Sequence, residues 1–546
     1  MTAVGWRALL PSRADYAGLR GSWRADLLAG VTVGIVALPL ALAFGVSSGA
    51  GAEAGLVTAI VAGVVAAVFG GSPVQVSGPT GAMVVVLAPV LAARGATALA
   101  LVTVLAGVMV IALGVSRLGR LVGLIPWPVL EGFTLGIAII IFLQQVPAAI
   151  GVPAGGHGSN AAAAAVDALL DARVETAWPA LAMAAAVAAI MVVMPRLTRA
   201  VPGSIVAVVV VSVAAVTADA AGLFAAPVPS IGALPAGLPA PGLALPTLAE
   251  VTSLLAPAAT IAALAAIESL LSARVAASQT GGGYDADREL VGQGLASVAA
   301  GLFGGMPATG AIARTAVNVR AGARTRLAAV VHGVVLLAVV AVASGVVSRI
   351  PLAVLAGVLM VTAISMVHRR TVAAVMRGSR QGAVVFVLTA IITVSVDLIY
   401  AVGIGMAVAA FLALRAVSNS AGVHREELPG GAHAGDEWIA LLRLDGALFF
   451  GAAERVLERV SRVEGARVVI LRMSQVDLLD ATGAQLLAEV IASLRRQGVT
   501  VLLKGIRPEH RRVLLHAGAL EEPRVGETVF ETLDGAVARA RELVAG

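Results

Sequence analysis

Two interrupted segments of an otherwise apolar chain contain the residue types that could bind an anion. Residues 303–320 read FGGMPATGAIARTAVNVR and residues 69–83 read FGGSPVQVSGPTGAM, so both begin Phe-Gly-Gly-x-Pro and both reach a Thr-Gly-Ala triplet. Glycine and proline interrupt helices, and a helix that starts after such a break presents unpaired N–H groups and the positive end of its dipole. Two such helix starts that face each other would form an anion site.

Arg314 lies inside the second of these segments. An arginine at the centre of a membrane helix is unfavourable by about 2.5–3.5 kcal/mol on insertion scales, so its presence indicates a function. One such segment would suggest only a kinked transmembrane helix, because glycine and proline are common there. Two of them, at corresponding places in two halves of a chain, are typical of a transporter binding site. The repeat and the charge together favour a binding site.

The composition predicts a polytopic helical membrane protein. Of the 546 residues, 59% are hydrophobic and 13% are charged, against about 25% charged residues in soluble domains. There is no cysteine, the seven histidines show no metal-ligand spacing, and no nucleophile–base pair is evident, so we expect no enzyme, metal site or cofactor. The net charge of +6 comes from arginines in short loops, which does not indicate a nucleic-acid partner.

The elements that must position these residues are membrane-spanning helices. Between Asp26 and Arg415, apolar segments of about 15–25 residues, the length that a bilayer requires, follow one another. We predict fourteen spans, seven in each half: 26–48, 53–70, 77–92, 96–114, 124–149, 178–195 and 202–221, then 252–274, 289–304, 310–320, 326–347, 351–368, 381–396 and 398–415. The third and tenth are short because each is expected to start within the membrane.

Charge predicts the orientation of these spans. Arginines cluster at alternate boundaries, whereas the opposite boundaries, 49–52, 150–176 and 222–250, contain only Arg173. The positive-inside rule then places both termini in the cytoplasm. Seven spans in each half make the halves antiparallel, which predicts an inverted repeat.

Beyond the last span the composition becomes polar, and short strands alternate with helices, which is typical of a small α/β domain. The predicted strands are 438–444, 468–471 and 500–503, and the predicted helices are 452–463 and 484–496. The predicted organisation is a cytoplasmic lead-in (1–25), a first repeat (26–221), an external linker rich in proline and glycine (222–250), a second repeat (251–416), a polar linker (417–436) and the α/β domain (437–546).

Several segments resemble the SulP (sulfate permease) family of anion transporters. The resemblance covers nearly the whole chain and is carried by AGVTVGIVALPLALAFGVSSG, QVSGPTGAM, AAIESLLSARVA and RELVGQGLASVAAGLFGGMPATGAIARTAVNVRAGARTR. In the terminal part, VILRMSQVDLLDATGAQLL resembles the STAS domain of that family. The resemblance implies two inverted seven-span repeats, a fold shared with uracil-type transporters in which a core domain moves like an elevator against a gate domain, and a homodimer.

The resemblance also implies that the substrate lies between the starts of the third and tenth spans. The residues concerned are Ser77, Gly78, Thr80 and Gly81 on the third span and Gly310, Ala311, Ile312, Ala313 and Arg314 on the tenth. Most of them would act through backbone N–H groups, while Arg314 would supply a permanent positive charge.

Glu268, in the eighth span, and Ser272, one turn later, are expected to couple transport to an ion. Some members of the family bind sodium with an acid and a hydroxyl at these positions, and others pair the acid with the arginine of the tenth span. This chain keeps Arg314, which favours a proton over sodium. An anion that engages Arg314 would leave Glu268 without its partner, so that Glu268 would take up a proton with each anion.

In the terminal domain, Asp480-Ala481-Thr482-Gly483 fits the Asp-x-Ser/Thr-Gly pattern that is phosphorylated in soluble anti-sigma antagonists. Asp480 or Thr482 could also simply cap the helix that follows. Capping is the favoured interpretation, and regulatory phosphorylation of Thr482 is the alternative.

The expected function is secondary active transport of small inorganic anions across the plasma membrane, with sulfate as the first substrate. The expected partners are the anion, a proton or sodium ion, and the lipid bilayer. Bicarbonate or dicarboxylate transport, and exchanger or channel activity of the same fold, are alternatives. An anion-sensing receptor that signals through the terminal domain is the alternative from another class.

Overall fold

A computed structural model gives the fold of this chain. It describes residues 9–16, 18–119, 126–152, 161–198, 202–224, 228–243, 245–395, 398–420, 422–431, 433–449, 460, 465–520 and 527–545. The chain divides into two units, residues 1–406 and 407–546. The helix predicted at 452–463 lies, apart from Val460, outside the described residues.

The first unit consists of apolar helices, which satisfy their backbone groups internally and can therefore lie in a membrane. The helices of its first half are α1 (Leu19–Ser47), α2 (Ala52–Val57), α3 (Gly63–Phe69), α4 (Gly81–Arg94), α5 (Ala98–Val115), α6 (Trp127–Gln144), α7 (Val146–Ala149), α8 (Ala161–Asp171), α9 (Val174–Leu197) and α10 (Gly203–Ala220). A π-helical turn, Thr58–Ala62, makes α2 and α3 one continuous rod.

The second half of this unit follows the linker predicted at 222–250. Its helices are α11 (Leu248–Thr280), α12 (Ala286–Leu302), α13 (Ile312–Arg320), α14 (Leu327–Val347), α15 (Leu352–Met366), α16 (Arg369–Gly378), α17 (Arg380–Ser395) and α18 (Leu398–Ser420), the last of which extends past residue 406. Within the described ranges, nine helical stretches are long and apolar enough to cross a membrane, and three further apolar helices are shorter.

Every predicted span overlaps a helix, but among the described residues of the first unit α8 and α16 lie outside the predicted spans. The alanine-rich α8 lies in 150–176, a stretch that the sequence argument used only for its charge. Alanine has the highest helix propensity, so composition alone could have indicated it. The amphipathic α16 carries arginines at both ends and is too short and too charged to be read as a span.

The two interrupted segments meet in a two-stranded antiparallel sheet. Strands β1 (Ser77–Gly78) and β2 (Thr309–Gly310) pair with Ser77 opposite Gly310 and Gly78 opposite Thr309. Helix α4 begins shortly after β1, and α13 begins shortly after β2. The pairing satisfies backbone groups that a break in a membrane helix would otherwise leave exposed to lipid.

The repeated Thr-Gly-Ala triplets do not occupy equivalent positions around this sheet. Thr80 immediately precedes α4 in extended backbone, whereas Thr309 lies within β2. The loop from Phe69 to α4 is longer than the loop from Phe303 to α13. The repeated sequence therefore predicts the positions of the two helix breaks correctly. Matching residues of the two repeats, however, are not structurally equivalent.

The linker predicted at 222–250 is held to neighbouring segments of the first unit by backbone hydrogen bonds. The Ile231 N–H donates to the Ile350 carbonyl at 3.0 Å, and the Gly242 N–H donates to the Leu302 carbonyl at 2.7 Å. A capping box formed by Thr247 and Glu250 then starts α11. The described part of the linker is therefore extended but not free of the helices.

The N-terminal lead-in is also attached. Asp15, in a short 3₁₀ helix, forms an ion pair with Arg288 at 2.8 Å, and Arg326 lies 3.5 Å from the same oxygen. Burial raises the pKa of Asp15, but hydrogen bonds from Arg288 and Ser12 outweigh burial and hold that pKa well below its usual range. Asp15 therefore stays ionised and ties the lead-in to the start of α12.

The second unit is a five-stranded sheet with helices on both faces. Across the sheet the order is β3 (Gly422–Glu426), β4 (Ile439–Leu448), β5 (Val468–Leu479), β6 (Thr500–Lys504) and β7 (Val529–Phe530), with β3 antiparallel to β4 and the rest parallel. Because alternate residues of a strand face opposite sides, Leu442 packs with α19 (Ala481–Arg496) and α20 (Pro508–His516), and Leu441 packs with α21 (Leu533–Ala545). The predicted α/β domain is confirmed, whereas β3 lies within the stretch predicted as a polar linker.

Candidate functional site

The structure brings together the two sets of residues that the sequence singled out. Ser77 and Gly78 form β1, Thr80 and Gly81 lead into α4, and Gly310 belongs to β2. Ala311 precedes α13, whose first three residues are Ile312, Ala313 and Arg314. The first N–H groups of a helix have no partner within it, so α4 and α13 offer such groups next to the same small sheet.

Arg314 reaches from the second half of the chain to the first. Its side chain is buried, with 2% of its surface exposed. Its Nη2 donates to the Pro79 carbonyl in the loop before α4. Its Nη1 is buried and has no hydrogen-bond partner among the described residues. A guanidinium with an unused N–H group is suited to bind an oxyanion.

Gly78 makes room for this guanidinium. Its φ angle is +150°, a region that side chains rarely adopt, and a Cβ placed on it would lie 2.7 Å from Arg314 Nη1. A side chain at position 78 would thus collide with the group that has the unused donor. Gly78 is needed here both for the backbone conformation and for the space.

Glu268, on α11, is held by one threonine from each half of the chain. Its Oε2 accepts hydrogen bonds from Thr80 Oγ1 at 2.7 Å and from Thr309 Oγ1 at 2.9 Å. In the part of the chain that the structure describes, no ion pair joins it to Arg314. The direct acid–arginine pair that some family members form is therefore absent from the described ranges, and the two threonine hydroxyls are the partners of Glu268.

Ser272 lies one turn beyond Glu268 on α11 but has a different partner. Its hydroxyl is 3.1 Å from Thr315 Oγ1, which in turn accepts a hydrogen bond from the Val76 N–H at 3.1 Å. Through Thr315, Ser272 therefore connects α11 to α13 and to the residue that precedes β1. No cluster of three or more acidic or histidine side chains suited to a metal occurs in the described segments.

The two helix starts differ in accessibility. Ile312 is 42% exposed and Ala313 is also exposed, so the first turn of α13 is open. Gly81 is buried, and a Cβ placed on it would collide with Ile141 on α6.

Thr309 and Ser269 also belong to the candidate site, although the sequence pattern did not indicate a role for them. Thr309 is fully buried and donates to Glu268, and Ser269 Oγ accepts the Gly310 N–H at 3.1 Å. The repeated Thr-Gly-Ala triplet was a signal for Thr309, since Thr80 was chosen from the matching triplet. No sequence pattern indicates Ser269, because its hydrogen bond to Gly310 exists only when β2 packs against α11.

In the second unit, Asp480 caps α19. Its Oδ1 accepts the Gly483 N–H at 2.7 Å, as the capping interpretation predicted. Thr482 lies in the first turn of that helix and is exposed. The cap therefore does not depend on the Thr482 hydroxyl.

Comparison with known proteins gives two family matches. Residues 23–389 match the sulfate permease family, and residues 434–536 match the STAS domain. The chain is 34% identical over 517 residues to "Putative sulfate transporter YvdB" of Bacillus subtilis, covering 93% of this chain and 96% of that protein. It is 33% identical over 526 residues to the bicarbonate transporter BicA of Synechocystis, covering 92% and 91%.

A solved structure supports the fold alone. The murine Solute Carrier 26 family member A9 anion transporter, in an inward-facing state, superposes with a TM-score of 0.83 at 18% identity, covering 99% of this chain and 96% of that one. The match extends over both the helical part and the terminal domain.

Proposed function

Since the chain belongs to the sulfate permease family of anion transporters, we propose that it moves small inorganic anions, sulfate first among them, across the plasma membrane by secondary active transport. The observation that carries the proposal is Arg314, a buried guanidinium whose Nη1 has no partner within the described residues. A buried N–H donor without an acceptor is unfavourable. A bound oxyanion would supply the missing acceptor.

The proposed site holds the anion mainly with N–H groups. Arg314 Nη1 would contact one oxygen, and the N–H groups at the open start of α13, from Ile312 and Ala313, would contact others. The start of α4, with Gly81, adds the positive end of a second helix dipole. Ser77, Gly78, Thr80, Gly310 and Ala311 shape the floor of this site through β1, β2 and the turns that follow them.

The proposed architecture follows the sequence prediction. It has fourteen spans in two inverted repeats, a core that moves against a gate like an elevator, cytoplasmic termini and a homodimeric assembly. The antiparallel pairing of β1 with β2, each followed by a helix start, supports the inverted repeat. The proposed domain limits are those given above, with 1–25 and 222–250 attached to the helices and β3 added to the terminal domain.

Glu268 is the proposed proton carrier. Both threonine hydroxyls donate to its Oε2, and its Oε1 accepts no hydrogen bond from the described residues. A proton can therefore bind at Oε1 without breaking either bond. When a dianion joins Glu268 and Arg314, the site carries a net negative charge, and protonation of Glu268 reduces the repulsion. Anion entry and proton entry are then linked.

Bicarbonate is the second candidate substrate, because one similar protein is a bicarbonate transporter and because N–H donors with one guanidinium can hold a planar oxyanion as well. With bicarbonate as the substrate, the alternative coupling ion is sodium, bound by Glu268 and Ser272. Ser272 would have to leave Thr315, and the Arg314 charge would oppose a second cation. The proton is therefore the preferred coupling ion.

The test is uptake into liposomes that contain the purified protein. Labelled sulfate, bicarbonate and succinate are offered separately, with an inward proton gradient, an inward sodium gradient or neither, and protein-free liposomes serve as the control. We expect sulfate to accumulate above its equilibrium level only with the proton gradient. Sodium-driven accumulation of bicarbonate would support the second candidate. Binding of sulfate without any transport would contradict the proposal and favour an anion-sensing receptor.

A further inference from the structure

Glu289 is a buried carboxylate that the proposed transport mechanism does not use. It lies in the first turn of α12 with 1% of its surface exposed. Its Oε2 accepts the N–H groups of Gly71 and Ser72, at 2.8 and 2.9 Å. These two groups belong to the loop that leads from α3 to β1. In the described residues Glu289 forms no direct ion pair, and hydrogen bonds to both carboxylate oxygens hold it in place.

Gln293, one turn further along α12, holds the other end of the same loop. Its Nε2 donates to Ser77 Oγ at 2.6 Å and to Glu289 Oε1 at 2.8 Å. Residues i and i+4 of a helix lie on one face, so Glu289 and Gln293 form one continuous strip of polar atoms. This strip, here called the α12 clamp, spans from Gly71 to Ser77.

Glycines allow the clamp to reach the backbone. A Cβ placed on Gly292 would collide with the backbone of Gly70, and a Cβ placed on Gly71 would collide with the Asp285 carbonyl. The loop therefore lies directly on the surface of α12, with no side chain between them. This close approach gives a physical reason for the Phe-Gly-Gly at 69–71 and for the glycine in the Gly-Gln-Gly at 292–294.

The second loop is held in a reciprocal but weaker way. Thr58, in the π-helical turn of the first half, accepts the Met306 N–H at 2.7 Å. Each half of the chain thus supplies the residue that fixes the loop of the other half. The first loop is the longer of the two and receives a carboxylate, whose hydrogen bonds are roughly twice as strong as those of a neutral acceptor.

We propose that Glu289 and Gln293 are positioning residues that set the direction of β1 and the start of α4, and thereby the affinity for the anion. Ser77, which Gln293 binds, is opposite Gly310, and Arg314 binds the Pro79 carbonyl two residues further on. A shift of this loop moves the Arg314 guanidinium away from the N–H groups of α13. The inference rests on the proposed function, since it concerns the same site.

The test exploits the donor–acceptor pattern between the two side chains. Gln293→Glu places two carboxylates face to face, whereas Glu289→Gln removes the charge that accepts the Gly71 and Ser72 N–H groups and keeps the side-chain pair only if the Gln293 amide rotates. The double variant Glu289→Gln with Gln293→Glu restores a donor facing an acceptor, and the Ser77 hydroxyl can donate to the new carboxylate. Gln293→Met, which keeps the volume and removes the donor, is the milder variant if the charged variants fold poorly.

Two readouts are measured on the full-length protein in nanodiscs. Hydrogen exchange of the 70–78 amides, without any anion, reports the position of the loop directly. Sulfate affinity by calorimetry reports its consequence. We expect each single variant to speed exchange at 70–78 and to weaken sulfate binding about tenfold, the scale of one lost charge-assisted hydrogen bond. The double variant should reverse the losses caused by Gln293→Glu and retain only those of Glu289→Gln, because a neutral amide oxygen then faces Gly71 and Ser72. Thr58→Val, the matched control, should speed exchange at 303–308 instead.

Unchanged exchange at 70–78 in both single variants and in Gln293→Met would overturn the clamp. Faster exchange with unchanged sulfate affinity would overturn the positioning role and leave a purely structural one. A double variant no better than Gln293→Glu alone would overturn the specific pairing. If the parent protein binds no sulfate, the proposed function fails, whereas the exchange data still decide whether the clamp exists.

Discussion

At the scale of single residues, the described part of the site combines an arginine N–H group that has no acceptor with a carboxylate of which only one oxygen accepts hydrogen bonds. Arg314 Nη1 lacks a partner in the described structure, and Glu268 Oε1 accepts no hydrogen bond there, although both groups are otherwise well held. Free groups of opposite charge in one site are what coupled binding of an anion and a proton requires. Two substitutions test this arrangement residue by residue.

The first prediction concerns Glu268→Gln, which mimics the protonated acid. The variant should still exchange sulfate between equal pools, because the anion contacts are unchanged. It should lose accumulation driven by a pH gradient, because no proton can be released. The matched control is Glu250→Gln on the same helix, where glutamine can still complete the capping box. Gradient-driven accumulation by the Glu268 variant would show that another group carries the proton.

The second prediction concerns Gly78→Ala. The added Cβ would lie 2.7 Å from Arg314 Nη1 and would strain a φ of +150°, at a cost of about 1–3 kcal/mol for the backbone alone. Sulfate affinity, measured by calorimetry, should fall at least tenfold. Gly95→Ala is the control, since its φ is also positive but an added Cβ meets nothing within 4 Å. Equal losses in both variants would mean that strain, and not contact with Arg314, is responsible.

At the scale of elements, the terminal domain begins earlier than its composition indicates. Strand β3 pairs with β4 along its whole length, and Glu426 accepts hydrogen bonds from Arg443 at 2.8 Å and Arg472 at 2.9 Å. Strand β3 and Glu426 lie within the polar stretch 417–436, and their partners lie beyond it. A charged edge strand is typical of soluble sheets but carries little hydrophobic signal, so the sequence pattern did not reveal it.

The third prediction compares two fragments of the terminal domain. Residues 420–546 should fold alone, and residues 437–546 should unfold a few degrees lower, because each 1 kcal/mol lowers the melting temperature by roughly 3–6 °C in a domain of this size. Thermal unfolding followed by circular dichroism measures the difference. Glu426→Gln in the longer fragment separates the ion pairs from the strand itself. Equal melting temperatures would mean that β3 does not belong to the domain.

At the scale of the whole molecule, the sequence predicts the helices and helix breaks, which depend on local pattern. It does not predict the side-chain partners, which depend on contacts between residues far apart in the chain. Run lengths of apolar residues located the helices, and glycine with proline located both breaks. The partners of Glu268 could not be predicted, because Thr80 lies 188 residues away in the chain. The clamp on the first loop was missed for the same reason, although its residues lie within a segment that carried the family resemblance.

The fourth prediction separates the two units of the chain. All proposed site residues, from Ser77 to Arg314, lie in residues 1–406. Truncation after Ser420 should therefore leave sulfate affinity unchanged, while transport falls through lost regulation or stability. Scintillation proximity binding and liposome uptake measure the two effects separately. The same truncation with Arg314→Ala, as a control, should bind poorly. A folded truncated protein that binds no sulfate would show that the site is incomplete without the terminal domain.

The central claim, that Arg314 binds the transported anion, is tested most directly by calorimetric titration of sulfate into the purified parent protein and its Arg314 variants. Arg314→Ala should weaken binding about tenfold to a hundredfold, as expected for lost hydrogen bonds to a charged group. Arg314→Lys should recover only part, since an ammonium cannot contact both the Pro79 carbonyl and the anion as a planar fork does. Arg320→Ala, on the exposed end of the same helix, should bind like the parent. A folded Arg314→Ala variant with the affinity of the parent would contradict the claim.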